Sequence, residues 1–110
     1  MRANELTRAA PVFAALGDAT RLALVTRLCS GGPQSIARLA EGSKVSRQAI
    51  TKHLHTLADA GLAKSSKQGR EQIWSIEPAR FDEAQRYLDR ISTAWDSAIE
   101  RLRAFVEECD

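Results

Sequence analysis

The chain has 110 residues, 44% of them hydrophobic and 27% charged, with a formal net charge of +2. That is one small domain with a modest core of its own, so an oligomer is expected. The composition excludes a disordered chain, no apolar run nears the roughly 20 residues that span a bilayer, and Met1-Arg2-Ala3-Asn4-Glu5 leads into no apolar signal core; a cytoplasmic protein with no membrane partner is expected.

Residues 1–16 read as a first helix, with Pro11 as a first-turn residue or a kink and Val12, Phe13 and Leu16 as core side chains. Gly17 breaks the pattern and Asp18 is a good N-cap for a second helix through about Cys29, with Leu22, Val25 and Leu28 buried. Ser30-Gly31-Gly32-Pro33 ends it. A short third helix is expected from about Gln34 to Ala40, with Ile36, Ala37 and Leu39 inward and Gly42 at the turn that follows. Ser46 then caps a fourth helix, 46–60, on which Ile50, Leu54, Leu57 and Ala58 share one stripe. Arg47, Gln48, Thr51, Lys52 and His55 share the other. The short connection Glu41-Gly42-Ser43-Lys44-Val45 makes helices three and four a helix-turn-helix, with Val45 filling the angle between them.

Beyond the Gly61 break, residues 62–66 and 71–76 read as two short strands turning at Lys67-Gln68-Gly69-Arg70, a basic wing over 62–76. Pro78 opens a last helix in which Phe81, Ala84, Leu88, Ile91, Trp95, Ala98, Leu102, Phe105 and Cys109 recur at steps of three and four, a heptad seam through four repeats. Such a helix is about 40 Å long, more than the core requires. Its Asp-, Glu- and Arg-rich flanks suit a paired helix better than a membrane-surface one. The seam serves a homodimer or a different protein partner equally well. The predicted fold class is mostly α with a small β-hairpin: one winged helix-turn-helix domain over 1–110.

Charge is unevenly spread: residues 44–70 carry +5 and residues 78–110 carry −3. A local basic field of that kind suits an anionic polymer, and a helix fits the major groove of double-stranded DNA. Arg47 can bond guanine, Gln48 adenine, and the Thr51 methyl can meet the thymine methyl. Ser46, Lys52 and His55 are placed at phosphates, and Lys64, Lys67, Gln68 and Arg70, with Lys44 beside them, at an adjacent minor groove or its phosphates. His53 is expected to make a local hydrogen bond near the helix-wing junction. Two His, one Tyr and no recognisable nucleophile-base pair argue against an enzyme. Cys29 and Cys109, 80 residues apart, form neither a disulfide framework nor a zinc signature. Cys29 is read as a small buried hydrophobe, the alternative being a thiol-redox-responsive regulator. No cofactor is expected, and no polar cluster announces an effector pocket between the long helix and the core.

These residues resemble the ArsR-type family of small dimeric winged helix-turn-helix regulators. Phe13-Ala14-Ala15-Leu16-Gly17-Asp18-Ala19-Thr20-Arg21-Leu22 is similar to its ALxDxTRL opening, Ser46-Arg47-Gln48-Ala49-Ile50-Thr51-Lys52-His53-Leu54 to its SxxxVSxHL recognition helix, and Leu57-Ala58-Asp59-Ala60-Gly61-Leu62 to its LxxAGLV exit. The resemblance implies a homodimer that represses transcription at a palindromic operator, paired through its first and last helices. That places Val12, Phe13, Phe81, Leu88, Ile91, Trp95 and Leu102 at the dimer contact. Where metal-sensing members carry a Cys-x-Cys box this chain has Ser35-Ile36-Ala37, and its last helix has no histidine. The familiar zinc and thiolate sites are chemically absent, which points to the metal-independent branch.

Overall fold

Two short polar side chains set the frame of the molecule, whose computed structural model describes residues 3–108. The first is Asp18: helix α1 (Ala3–Leu16) ends just before it, and its carboxylate accepts the Arg21 amide at 3.0 Å to start α2 (Ala19–Gly31). The second is Ser46, whose hydroxyl accepts the Ala49 amide at 3.2 Å and starts α4 (Arg47–Asp59). Each satisfies an amide that the helix itself leaves without a partner.

Helix α2 buries Val25 and Leu28 as expected and Leu24 with them, whereas Leu22, expected to be buried, is 48% exposed. The true stripe is Arg21, Leu24, Val25, Leu28, at helical spacing. Its first member is an arginine, a residue the sequence pattern had not placed on the core side. The structure accommodates it half-buried by bonding its guanidinium to the Ala14 and Ala15 carbonyls at the end of α1. Cys29 is also corrected: it is exposed on the last turn of α2, so oxidising it disturbs no packing. Pro11 lies inside α1 rather than in its first turn, where the burial of Val12 and Ala15 holds the helix.

Gln34–Ser35, expected to be helical, form strand β1, and α3 is only Ile36–Ala40, capped by the Ser35 hydroxyl. Strand β1 pairs antiparallel with β3 (Glu71–Ile76), which pairs in turn with β2 (Ala63–Gln68), so the wing is a three-stranded sheet of order β1-β3-β2 rather than a lone hairpin. Gln68 faces Glu71 across the turn, leaving a two-residue loop whose Gly69 has φ +63°. Such tight loops require positive φ, which glycine adopts without steric cost.

Leu39, Ile50, Leu54, Leu57 and Leu62 are fully enclosed at the centre, with Trp74 over them from the sheet and Val45 against the cluster from the connection. Val12 belongs to this core at 2% exposure and is thereby withdrawn from the expected dimer contact. Phe13 and Phe81 are half-covered by their own chain, and Phe13 lies 5.8 Å from the Tyr87 ring. Helix α5 (Pro78–Glu108) has 31 residues, about 46 Å at 1.5 Å per residue, and among them only Ala84 is buried. It projects from the head: the extents are 70 × 29 × 20 Å and the radius of gyration is 19.1 Å, against about 13 Å for a compact chain of this length. No single described helix is long and apolar enough to cross a membrane.

Candidate nucleic-acid interface

Helix α4 has two chemically separate sides. Ile50, Leu54 and Leu57 fix its underside to the core, while Arg47, Gln48, Lys52 and His55 stand exposed opposite them. Thr51 is half-exposed and its hydroxyl donates to the Arg47 carbonyl at 2.8 Å, which occupies the donor and leaves the methyl and an acceptor for a partner. The Ser46 hydroxyl accepts the Ala49 amide as its cap and keeps its O–H free to donate. Arg47, Gln48, Thr51, Lys52 and His55 thus form a ridge on the side of α4 away from Ile50 and Leu57, and Ser46 stands at its N-terminal end.

Three contacts absent from the sequence reading hold that ridge in place. Arg27 reaches from α2 to the last carbonyls of α3, bonding those of Arg38 (2.9 Å) and Leu39, which adds to the backbone cap that the Glu41 amide makes on the Arg38 carbonyl. Buried Gln34 donates from its amide to the Arg27 carbonyl at 2.9 Å, locking the same arm. His53 makes no local bond at the wing: its Nδ1 faces the Arg21 guanidinium at 3.3 Å and the Asp18 carboxylate at 4.0 Å, tying α4 to the corner between α1 and α2. The Arg21 amide, then the charges of Arg21 and His53, hold the Asp18 carboxyl below its ordinary 3.8.

In the wing, Lys67, Gln68 and Arg70 are exposed around the tip. Lys64 lies at the base, where its ammonium pairs with Glu77 at 3.4 Å. The Gln72 amide donates to the Ser65 hydroxyl at 2.8 Å across the strands. His55 rests edge-on against Trp74, ring centres 5.3 Å apart, so a residue expected to touch phosphate also braces the recognition ridge on the sheet. The Trp74 indole nitrogen is buried without a hydrogen-bond partner among the described residues. Arg27 and Trp74 meet partners in other elements, and Arg21 and Gln34 bond carbonyls across a turn, contacts that helix and strand periodicity do not report.

Comparison with known proteins decides the family. Residues 16–65 match the family described as a helix-turn-helix domain. An ArsR-like transcriptional regulator from Rhodococcus sp. RHA1 is 39% identical in sequence and superposes with a TM-score of 0.80, over 91% of this chain and 93% of that one. The chain belongs to the ArsR family. An HTH-type transcriptional regulator of Mycobacterium tuberculosis is 35% identical over 72% of this chain and 73% of its own length. At the level of fold alone, a homodimeric winged helix-turn-helix DNA-binding domain from Mycobacterium bovis, 21% identical, covers 83% of this chain and 81% of that one with a TM-score of 0.62. This ArsR-family chain is therefore a transcriptional regulator with a helix-turn-helix DNA-binding domain, and α4 lies within that domain. Among its described residues no three His, Cys, Asp or Glu side chains stand close enough together to hold a metal ion.

Proposed function

We propose that the chain is a homodimeric, metal-independent repressor that occupies a palindromic operator in the cytoplasm, a regulator rather than an enzyme. The observation that carries this is the two-sided recognition helix, its underside sealed by Ile50, Leu54 and Leu57 and its exposed ridge carrying Arg47, Gln48, Thr51 and Lys52 within the +5 segment. Arg47 and Gln48, in the first turn, read base edges, and Thr51 meets a thymine methyl. Ser46, Lys52 and His55 set the register on phosphates. Lys67, Gln68 and Arg70 bring the wing to the neighbouring minor groove, with Lys64 behind them shared with Glu77.

Dimerisation is supported by the bare seam of α5. Leu88, Ile91, Trp95, Leu102 and Phe105 are all more than 40% exposed at spacings of three, four and seven, more contiguous apolar surface than a monomer ordinarily leaves to water. The M. bovis domain of the same fold is homodimeric. Metal independence rests on the donor chemistry, Ser35-Ile36-Ala37 where the thiolate box would stand and no histidine on α5.

The test is selection of duplexes from a randomised pool, followed by titrations with variants. Arg47→Ala is expected to cost about 1–3 kcal/mol on the selected site and to relax preference at one position, whereas Arg70→Ala weakens all duplexes alike and lowers the salt slope by about one. Equal losses for Arg47→Ala on selected and random DNA remove it from base reading. A monomeric protein that enriches no motif at low salt returns the seam to a different protein partner.

A further inference from the structure

A cleft of about 210 Å³ opens between α1 and the start of α5. Val12, Ala9 and Ala84 make its floor, Tyr87 one wall, and three arginines, Arg8, Arg86 and Arg90, its rim. Two acidic side chains share that rim and strap the helices together: Glu83 of α5 accepts from Arg8 of α1 at 3.0 Å, and Glu5 of α1 accepts from Arg90 of α5. The lining carries three positive and two negative charges. Among the described residues Arg86 makes no ion pair, although Asp82 and Asp89 flank it along an adjoining groove.

On α5, Glu83, Arg86, Tyr87 and Arg90 follow steps of three and four, on a stripe roughly 100° round the helix from Leu88, Ile91 and Trp95. The apolar seam and the cleft therefore lie on different faces of α5. The volume lies below the roughly 300–1,000 Å³ of sites for drug-sized molecules, so the occupant is small. An apolar floor under an arginine rim selects a molecule with an apolar body and one planar anion, which a guanidinium grips bidentately.

The cleft is wired to the DNA-reading head. Glu83 also accepts from Arg80 at 3.3 Å, and the Arg80 side chain lies within 2.8 Å of where a Cβ on Gly61 would be, at the exit of α4 into the wing. The exposed ion pair of Arg8 with Glu83 is worth little, so exchange for a ligand is cheap.

We propose that the cleft between α1 and α5 binds a small amphipathic carboxylate, held by Arg86 and Arg8 over Val12 and Tyr87, and that its occupation weakens DNA binding. The regulatory half rests on the DNA-binding reading above. The acid takes Arg8 from Glu83; Glu83 turns wholly onto Arg80, and Arg80 leaves its seat over Gly61, so the angle between recognition helix and wing changes. A ligand shifts such an equilibrium only through its different affinity for the two arrangements, and the exchange of partners at Glu83 supplies that difference.

The experiment is calorimetric titration of the full chain without DNA, using hexanoate and benzoate as probes and hexanamide and hexylamine as neutral and cationic controls. Gel shifts of a selected duplex with and without hexanoate follow. The acids are expected to bind at least roughly tenfold more tightly than the controls, and Arg86→Gln to lose about tenfold in acid affinity while keeping its DNA affinity. Hexanoate is expected to weaken duplex binding by the parent chain and to leave Glu83→Gln unmoved. Acids binding no better than hexanamide, binding that survives Arg86→Gln, acid that splits the dimer, or bound acid that leaves duplex affinity unchanged each overturns the proposal. A chain that shifts no duplex even without acid counts against the DNA reading instead, and the calorimetric arms still decide the site.

Discussion

Single polar side chains fix the helix boundaries, and their removal has a calculable cost. Ser46→Ala leaves the Ala49 amide without its acceptor and is expected to lower stability by about 0.5–2 kcal/mol, read as a shift in the urea midpoint. Asp18 does the same work with a charge, so its contribution depends on pH. Its folded pKa lies below the ordinary 3.8; the unfolded chain therefore takes up the proton first as acid is added. The stability it provides is present above 3.8 and is lost as pH falls through the lower folded value. Urea midpoints followed from neutral pH to below 3.8 are expected to fall for the parent chain and to change less for Asp18→Asn, which starts lower. A parallel pair of curves would show that the carboxylate is not the titrating group. Both caps were legible in the sequence because a cap and its amide lie three residues apart. Arg21 and His53 were not, because a half-buried arginine and the carbonyls it satisfies meet only after α1 and α2 have turned at Gly17.

At the scale of elements, periodicity identified every helix and the two long strands but misplaced faces and ends wherever a distant partner decided the outcome. On helix α2 the expected and observed stripes share Val25 and Leu28 and differ in that Leu22 is exposed while Leu24 is buried and Arg21 half-buried beside it. Strand β1 is two residues long and exists only because Gln34 and Ser35 find Trp74 and Ile73 about 40 positions later. The buried and exposed sides of α4 were legible, since one amphipathic helix contains them; the pairing of Lys64 with Glu77 and the contact of His55 with Trp74 were not, since they join separate elements. Gly61 shows how sharply such a junction is constrained. Its φ of +79° is left-handed, and a Cβ there would meet Arg80. Gly61→Ala is expected to cost about 1–3 kcal/mol through backbone strain and to weaken DNA binding by disturbing the wing, whereas Gly42→Ala, also left-handed but with nothing within 4 Å, strains the backbone without a clash. Comparing the two variants by urea denaturation and gel shift separates the backbone effect from the seat of Arg80.

The whole molecule is a head with a long, bare handle, and the proposed pairing along that handle would make its stability a property of concentration. A chain of 110 residues buries a modest fraction of its surface, and here most of a 31-residue helix adds nothing to the monomer's core. Trp95 is 67% and Leu102 62% exposed, and each large apolar side chain fully buried contributes about 1.5–3 kcal/mol. Pairing along the seam recovers that contribution from both copies at once, and by mass action it stabilises the fold more as protein concentration rises. The thermal midpoint of the parent chain is therefore expected to climb with concentration. Trp95→Arg places a charge on the seam where the partner's apolar side chains must exclude water, so it is expected to sediment as a monomer and to lose the concentration dependence. Because the residue lies well beyond the core contact at Ala84, the head of the variant remains folded, with its far-ultraviolet circular dichroism largely retained. Such a monomer keeps the ridge of α4 yet engages only one half-site, so its affinity for a palindrome is expected to fall to that for a single half-site. A Trp95→Arg protein that still sediments as a dimer would move the pairing surface away from the distal half of α5.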